Sequence, residues 1–568
     1  MNIVLSDAER QEVWIERVRS AEWTGESREP PRWTWDDTNR WYPSLLQAGV
    51  RVERAYDLRL AHAILRRSPF SAGTALATAP PGPWDELEPA RIEPVLDTER
   101  YRPQAESLFD FDASQTTITD RVDERLHTLD PTAELASQEK AIANSAEPGR
   151  LRLLVAAESA GALAAAEMNH CGLPWRADLH DQILTGRLGS RPPLGQRPER
   201  MEALAERIRH ALDAPATLNV DSQPSLLKAM QYAGLGVKSL SRWEIRNIDH
   251  PVIAPLLEYK KLARLASANG WHWLDTWVRD GRFHPAYVVG GVVTGRWSSV
   301  GGGALQIPHD VRAAVLADPG WKLVVADVAQ VEPRVLAAMS GDENMATAGR
   351  GGDMYEGIVK AGAVASREQA KLGLLSAMYG GTTGSGAAVL PRLSKAFPKA
   401  FALVEGAARA GERGEQVSTW LGRGSPPPES RAPNPYRAPP EDANDAERER
   451  SAARARGRFT RNFVVQGTAA EWAMAWLAST RRRLWALGTD PSISGSKGAQ
   501  NSDPFAGRPH LAFFVHDEVV VHTPAAFAEE VAHALREAAV EAGRLLFPGA
   551  PVEFPLSVAI VNAYSEVD

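Results

Sequence analysis

The sequence predicts an α+β, multidomain chain, and three observations carry that expectation. Its 568 residues, at about 150 per domain, make three or four units. Its composition, 44% hydrophobic and 24% charged, is that of a globular protein and excludes collagen-like, disordered and disulfide-scaffold chains. Long Ala-rich helical runs are broken by a few compact apolar strand runs, at 321–326 and at the pair 511–515 and 519–521.

The net charge is −7, from 64 basic and 71 acidic residues, so no global basic field advertises nucleic acid. A local basic groove would still suffice to bind it. The single cysteine, Cys171, excludes an internal disulfide and Cys-rich zinc or iron–sulfur sites. It suits a reducing cytoplasm. The greasiest stretch, 151–168, carries Arg152, Glu158 and Glu167, and the start MNIVLSDAERQEVW lacks a charged region followed by an apolar core. Neither a membrane span nor a signal peptide is expected.

Along the chain, residues 1–110 are rich in Trp, Arg and Pro, and WYPSLLQAGVRVERAYDLRLAHAILRRS reads as helix, short strand, helix. Leu58, Ala61, Ile64 and Leu65 there have helical spacing. Residues 111–150 read as a polar helical connector, 186–199 as a Gly/Pro/Arg loop and 256–277 as one long helix. A strand-rich block is expected at 287–294. Residues 422–447 and 488–509 read as flexible.

Five segments carry chemistry. WKLVVADVAQVEPRVLAAMSGD puts Asp327 where a strand ends, with Glu332, Arg334 and a helical run behind it. An acid there is placed to hold a cation in a cleft, although taken alone a capping aspartate after a strand is the plainer reading. In HLAFFVHDEVVVHT two apolar runs flank His516, Asp517 and Glu518, a hairpin with acids at its tip. A given tripeptide recurs by chance in roughly one chain in fifteen of this length, so its placement between strands carries the signal. Two carboxylates from separate strands can bind a pair of Mg²⁺ ions that activate an attacking oxygen and neutralise a leaving phosphate. A solvated turn is the plainer alternative.

In REQAKLGLLSAMYGG, Arg367, Lys371, Leu375 and Tyr379 recur every four residues, one helical stripe stopped by Gly380-Gly381. Its cations would meet a triphosphate and its ring a base; the same letters fit a solvated basic edge beside a buried Tyr. In RFTRNFVVQGTAAEWAMAWLAS, Arg458, Asn462 and Gln466 again step by four. Three hydrogen-bonding side chains on one face suit a DNA minor groove, where acceptors look nearly alike for every base pair, or a polar solvent face. VVTGRWSSVGGGALQIP turns at Thr294-Gly295-Arg296 and offers Ser298 and Ser299 as donors. Its glycine run at 301–303 is not a Walker loop, because no Gly-Lys-Ser/Thr follows.

In their order, TGR-x-SS, D-x-x-Q-x-E-x-R, R-x3-K-x7-YG, R-x3-N-x3-QGTAA and HDE resemble the family A DNA polymerases, the group of bacterial DNA polymerase I. The resemblance covers about 151–568 and is nearest to the shorter actinobacterial exonuclease/polymerase type. It implies a right hand preceded by a reduced α/β RNase H-like exonuclease-type domain at 1–110 and a connector at 111–150. The palm falls at 151–185, 286–340 and 467–568, the thumb at 186–285 and the fingers at 341–466. The implied activity is template-directed addition of dNTPs to a primer 3′ end in repair or replication, by a cytoplasmic, nucleoid-associated monomer. Two Mg²⁺ ions, replaceable by Mn²⁺, are the implied cofactor.

Residue by residue, the resemblance makes Asp327 and Asp517 metal ligands, with the carbonyl of Val328. Glu518 and Lys371 join them as catalytic residues. Glu332 and Gln330 sit at the nucleotide, Glu332 beneath the sugar where it excludes a 2′-hydroxyl. Arg367 and Lys371 grip the triphosphate and Tyr379 guards the template-base position. Arg296, Arg458, Asn462 and Gln466 contact primer–template, and His516 steadies the primer end.

Three departures stand out. Leu375 replaces the family's aromatic facing the sugar, so weak incorporation of dideoxynucleotides is expected. Tyr355 replaces a histidine at the triphosphate and offers a hydroxyl without a charge. The N-terminal domain looks degenerate: Asp7-Ala8-Glu9 reads better as a capping box than as an exonuclease acid pair, and Asp36, Asp37 and Asp57 fall near places for exonuclease or structural acids. Proofreading is therefore not expected, and flap processing is not expected either, because the sequence leaves no room for the large 5′-nuclease domain many relatives carry. Two other readings are a single-subunit RNA polymerase, against which Glu332 argues, and a non-catalytic primer–template clamp, against which Asp327, Asp517, Lys371 and Arg367 argue.

Overall fold

The structure, a computed structural model, describes residues 2–5, 31–90, 129–193, 195–300, 307–381, 384–427, 443–493 and 504–567. Asp7-Ala8-Glu9 and the glycine run at 301–303 lie outside the described residues.

Three parallel strands, β1 (Asn2–Leu5), β2 (Arg32–Trp35) and β3 (Arg54–Asp57), pair in that order. Helices α1 (Thr38–Gln47) and α2 (Leu58–Arg67) follow β2 and β3, each started by an aspartate that accepts from a backbone N–H: Asp37 from Asn39 and Asp57 from Leu60. The helix–strand–helix reading of this stretch holds, and Leu58, Ala61, Ile64 and Leu65 are buried as their spacing requires. Helix α3 (Pro131–Ala143) lies in the expected connector.

Helix α4 (Pro148–Cys171) is apolar nearly all round and is buried accordingly. Its Leu163 and Ala166 pack against Trp33, Trp35, Trp41 and Tyr42 of the N-terminal unit. Its Glu167 is buried and ion-paired to Arg481 at 2.5 Å and to Arg51 at 3.3 Å, and accepts the Tyr42 hydroxyl at 2.6 Å. Arg481 also donates to the carbonyl of Glu53 at 2.8 Å, which welds the N-terminal unit to the rest.

Helices α5 (Glu199–Ala211) and α6 (Ile253–Asn269) pack together. The single helix expected over 256–277 is two: α6 ends before Gly270 and a second helix, Trp271–Trp277, follows. A Cβ on Gly270 would lie 2.1 Å from the Ala266 carbonyl oxygen, so the chain bends where no side chain fits. The strand block expected at 287–294 shrinks to Tyr287–Val288 paired with Ser298–Ser299, because the intervening residues form a turn with Gly295 at φ +86°.

The second half builds a four-stranded antiparallel sheet from β4 (Trp321–Val328), β5 (His510–Val515), β6 (Glu518–Pro524) and β7 (Leu556–Val561), in the order β5-β6-β4-β7. Between β4 and β5 run α7 (Val331–Ser340), α8 (Met354–Lys360), α9 (Arg367–Tyr379), α10 (Pro398–Glu412) and α11 (Ala443–Ala486). Helix α12 (Ala528–Leu546) packs on the sheet, as does α4. The residues after β4 build a separate core around Leu336, Leu374, Phe397, Val404 and Val464.

Two stretches expected to be flexible are anchored at their ends. In 422–447, Ser425 is buried and Gly424 bridges to Ser418, while α11 already begins at Ala443. In 488–509, Phe505 is buried against the N-terminal unit. The middle of each, 428–442 and 494–503, lies outside the described residues. Among the described residues no helix is long and apolar enough to cross a membrane.

Candidate active site

The β-branched run of β4 is buried on both faces until Asp327, which opens into a cleft. Strand register then does the assembly. Glu518, the first residue of β6, pairs directly with Asp327, and the Val328 N–H donates to the Asp517 carbonyl at 3.0 Å. His516 turns the hairpin with φ +53°, a left-handed conformation rare outside glycine. Three acids from segments almost 200 residues apart thus meet at one strand end.

Among the described residues, no hydrogen bond reaches the carboxylate of Asp327 or Asp517, whereas Glu518 accepts from the Tyr564 hydroxyl. Asp327 caps no helix: α7 begins with Gln330 at its cap position, φ +52°. Burial first, and the charge of Glu518 second, push the Asp327 carboxyl up to about 6. Asp517 is also pushed to about 6, by burial, with Glu332 and Asp327 adding to the rise and Arg296 opposing it. Burial also raises Glu518, against the Tyr564 hydrogen bond and Arg312. None of the three forms an ion pair among the described residues, and the nearby cations, Arg296 and Arg312, only partly offset burial.

Among the described residues, no three His, Cys, Asp or Glu side chains close into a cage for a metal ion. The donors present are two bare carboxylates and a neighbouring backbone carbonyl. That open set of hard oxygens fits Mg²⁺, which keeps several waters and takes substrate phosphate oxygens.

The cleft has a volume of about 840 Å³, with Asp327, His516, Asp517 and Glu518 on its floor. Arg242, Lys260, Lys261 and Arg264 from the α6 side and Arg312 line its walls. Sequence reasoning missed these cations, although Lys260, Lys261 and Arg264 fall at neighbouring positions of one helix. Tyr564 was missed as well, since nothing local to it signals a partner on β6.

The stripe Arg367, Lys371, Leu375 and Tyr379 does lie on one helix, α9, stopped by Gly380 at φ +73°. It is outside the cleft wall and is tied by two hydrogen-bonded links to residues that follow β4. In the first, the Tyr379 hydroxyl donates to Glu332 at 2.8 Å, and Glu332 also pairs with Arg296 at 2.5 Å. In the second, Arg367 pairs with Asp353 at 2.7 Å, and Asp353 accepts from Gln330 Nε2 at 3.4 Å. The Arg367 guanidinium holds the Asp353 carboxyl below the usual carboxylate range. It also lies 5.5 Å from the ring of Tyr355, which is buried. Lys371 is exposed, and Leu375 packs at the edge of the core behind α9. Arg334 is fully buried and donates to the carbonyls of Ala329, Gly349 and Glu553, which makes it a keystone of the turn after β4.

Arg458, Asn462 and Gln466 lie on α11. Gln466 hydrogen-bonds Tyr379, and Arg458 lies against the Gly380 bend, where a Cβ would be 2.7 Å from its Cγ. The structure thus gathers Arg296, Glu332, Tyr379 and Gln466 at one junction.

The N-terminal acids are arranged differently. Asp36 pairs with Arg40 at 2.7 Å and accepts from Trp41 at 2.5 Å. Asp37 pairs with Arg59 at 2.5 Å and accepts from Asn39 N. Asp57 accepts from Thr38 N, Thr38 Oγ1 and Leu60 N at 2.7–2.9 Å.

The profile of DNA polymerase family A matches residues 199–564. The thermostable DNA polymerase I of Thermus filiformis is 28% identical over 342 residues, covering 55% of this chain and 36% of that protein. The DNA polymerase I of Chloroflexus aurantiacus is 26% identical over 385 residues, covering 60% and 37%. The chain therefore spans well under half the length of these curated relatives. Among solved structures, the polymerase domain of Pol1 from M. smegmatis, in complex with DNA primer-template and dNTP, shares the fold. Its TM-score is 0.59 at 19% identity, over 78% of this chain and 75% of that one.

Proposed function

Because the chain belongs to DNA polymerase family A, we infer that it is a template-directed DNA polymerase that extends a primer 3′ end with dNTPs and has no effective proofreading. The observation that carries this reading is the pair of bare carboxylates, Asp327 and Asp517, on neighbouring strand ends at the floor of a basic-walled cleft. In this reading they hold two Mg²⁺ ions with the Val328 carbonyl. The ions, when bound, lower the barrier to 3′-hydroxyl attack and neutralise the departing pyrophosphate.

The remaining work is positioning. Arg367 leaves Asp353 to meet the triphosphate beside Lys371, with the Tyr355 hydroxyl as a further donor. Glu332, held by Arg296 and Tyr379, lies under the sugar and excludes ribose. Arg458, Asn462 and Gln466 read pair geometry in the minor groove, and His516 steadies the primer end. Lys260, Lys261 and Arg264 neutralise duplex phosphates. The partnered state of Asp36, Asp37 and Asp57 supports a packing role for the N-terminal unit.

Primer extension tests the reading with Mg²⁺ or Mn²⁺, dNTPs or rNTPs, and matched or mismatched ends. Cation-dependent dNTP extension with mismatched 3′ ends left in place is expected. Preferred use of rNTPs would shift the assignment to an RNA polymerase, and no extension under any condition would end it. Leu375→Tyr, which restores a ring at the sugar, is expected to increase dideoxynucleotide incorporation several-fold, on the order of one added aromatic contact; unchanged use would mean that Leu375 does not face the sugar.

A further inference from the structure

A turn at 417–425 is wedged between the two segments that carry Arg296 and Gln466. It closes on itself through Ser425 N to Val417 O at 2.8 Å and Thr419 N to Arg423 O at 3.0 Å. One side faces α11. A Cβ on Gly467, the residue after Gln466, would lie 2.4 Å from Thr419 Cγ2 and 3.1 Å from the Thr294 carbonyl. The Trp420 N–H donates to Thr468 Oγ1 at 3.0 Å and the Leu421 N–H to Glu471 at 2.9 Å. The other side faces Gly295. A Cβ there would lie 2.5 Å from Arg423 Nε, so the guanidinium is pressed on the backbone immediately before Arg296. That guanidinium is fixed by Glu158 of α4, buried and 2.5 Å away.

The back of the turn rests on the N-terminal unit with no space to spare. A Cβ on Gly424 would lie 2.0 Å from the Arg67 carbonyl, and one on Gly422 would lie 2.4 Å from the Phe70 ring. Gln416 Nε2 donates to the same Arg67 carbonyl at 2.8 Å. Contacts this close on three sides leave the turn one position.

We propose that Arg423 is a positioning residue for primer–template binding, and that the N-terminal unit is the anvil that holds it in place. The turn sets the gap between Arg296 and Gln466, and with it the pair of donors offered to the minor groove. In this proposal the unit serves DNA binding by packing behind the turn. This proposal rests on the DNA-polymerase reading above.

The test uses the full chain with Arg423→Lys, which keeps the charge but loses the planar fork, and Phe70→Ala, which removes the anvil without touching a charge. The measurements are primer–template Kd by fluorescence anisotropy, KM for dNTP and kcat at saturating DNA, and a thermal melt. Both variants are expected to raise the primer–template Kd by about tenfold, since sub-ångström misplacement of positioning groups has effects of this order. KM for dNTP should rise less than Kd, by up to about threefold, because Arg296 and Gln466 also hold Glu332 and Tyr379, and kcat at saturating DNA and dNTP should stay within about twofold. An unchanged Kd in a folded variant overturns the proposal, and so does an equal rise in Kd and KM for dNTP, which would mean general loosening. If Arg423→Lys does not fold, Phe70→Ala decides. If the wild-type chain extends no primer, the functional reading falls, while the Kd series still decides the role of Arg423.

Discussion

The N-terminal sheet and the sheet of the second half each bring three carboxylates to strand ends, and burial raises the pKa in both places. Asp57 is pushed to about 6, mainly by burial and then by Asp37, the same value reached by Asp327 and Asp517. A raised pKa therefore does not separate structural acids from functional ones. Partners do. Asp36, Asp37 and Asp57 spend their oxygens on arginines, helix starts and a threonine, whereas Asp327 and Asp517 face a cleft with none. The first group completes a fold, and the second, in the proposed reading, is left open for cations.

The sharpest way to break this contrast is alanine substitution. Asp327→Ala or Asp517→Ala is expected to lower primer extension by on the order of 10³-fold or more, while primer binding survives. Asp36→Ala should leave extension at saturating DNA within about threefold. Equal losses would erase the distinction.

Stability gives a smaller effect with opposite signs. The folded state of Asp517 holds its proton more tightly than the unfolded chain does, so its ionisation opposes folding as pH rises from about 4 through about 6. Asp517→Asn should therefore stabilise the cation-free protein at pH 7.5 by about 1–2 kcal/mol, allowing for solvent screening. Asp57→Asn should instead destabilise it by about 2 kcal/mol, because an amide cannot accept from both Thr38 and Leu60. Denaturant melts of the two variants check this, and a shared sign would refute it.

The smallest effect is in pH. Cation binding needs both carboxylates ionised, so at limiting Mg²⁺ extension should fall by about tenfold or more per unit below pH 6 and recover with added Mg²⁺. A profile flat down to pH 5 would show that other groups hold the ions.

The sequence made the local part of this site readable. The α9 stripe is one helix and its glycine stop, and the HDE hairpin is two apolar runs and a turn, so spacing alone places their side chains. Partnerships across the chain were not readable. Glu158 meets Arg423, and Glu518 meets Tyr564, through packing that no window of sequence contains. The break at Gly270 escaped because a lone glycine inside an apolar helical pattern is often tolerated. The loop ends at 422–427 and at Phe505 escaped because polar composition hides single buried anchors.

Helix α11 has 44 residues, and at 1.5 Å each it is a beam about 66 Å long. Arg481 clamps it near one end, and Arg458 rides about 35 Å up the shaft. A tilt of about 3° at the clamp carries Arg458 through about 2 Å, enough to make or lose a hydrogen bond. A beam this long needs holding along its length, and the bonds of Ser479 to Glu541, Trp420 N–H to Thr468 and Arg461 to the Ala377 carbonyl hold it between the grip on Glu167 and Arg458.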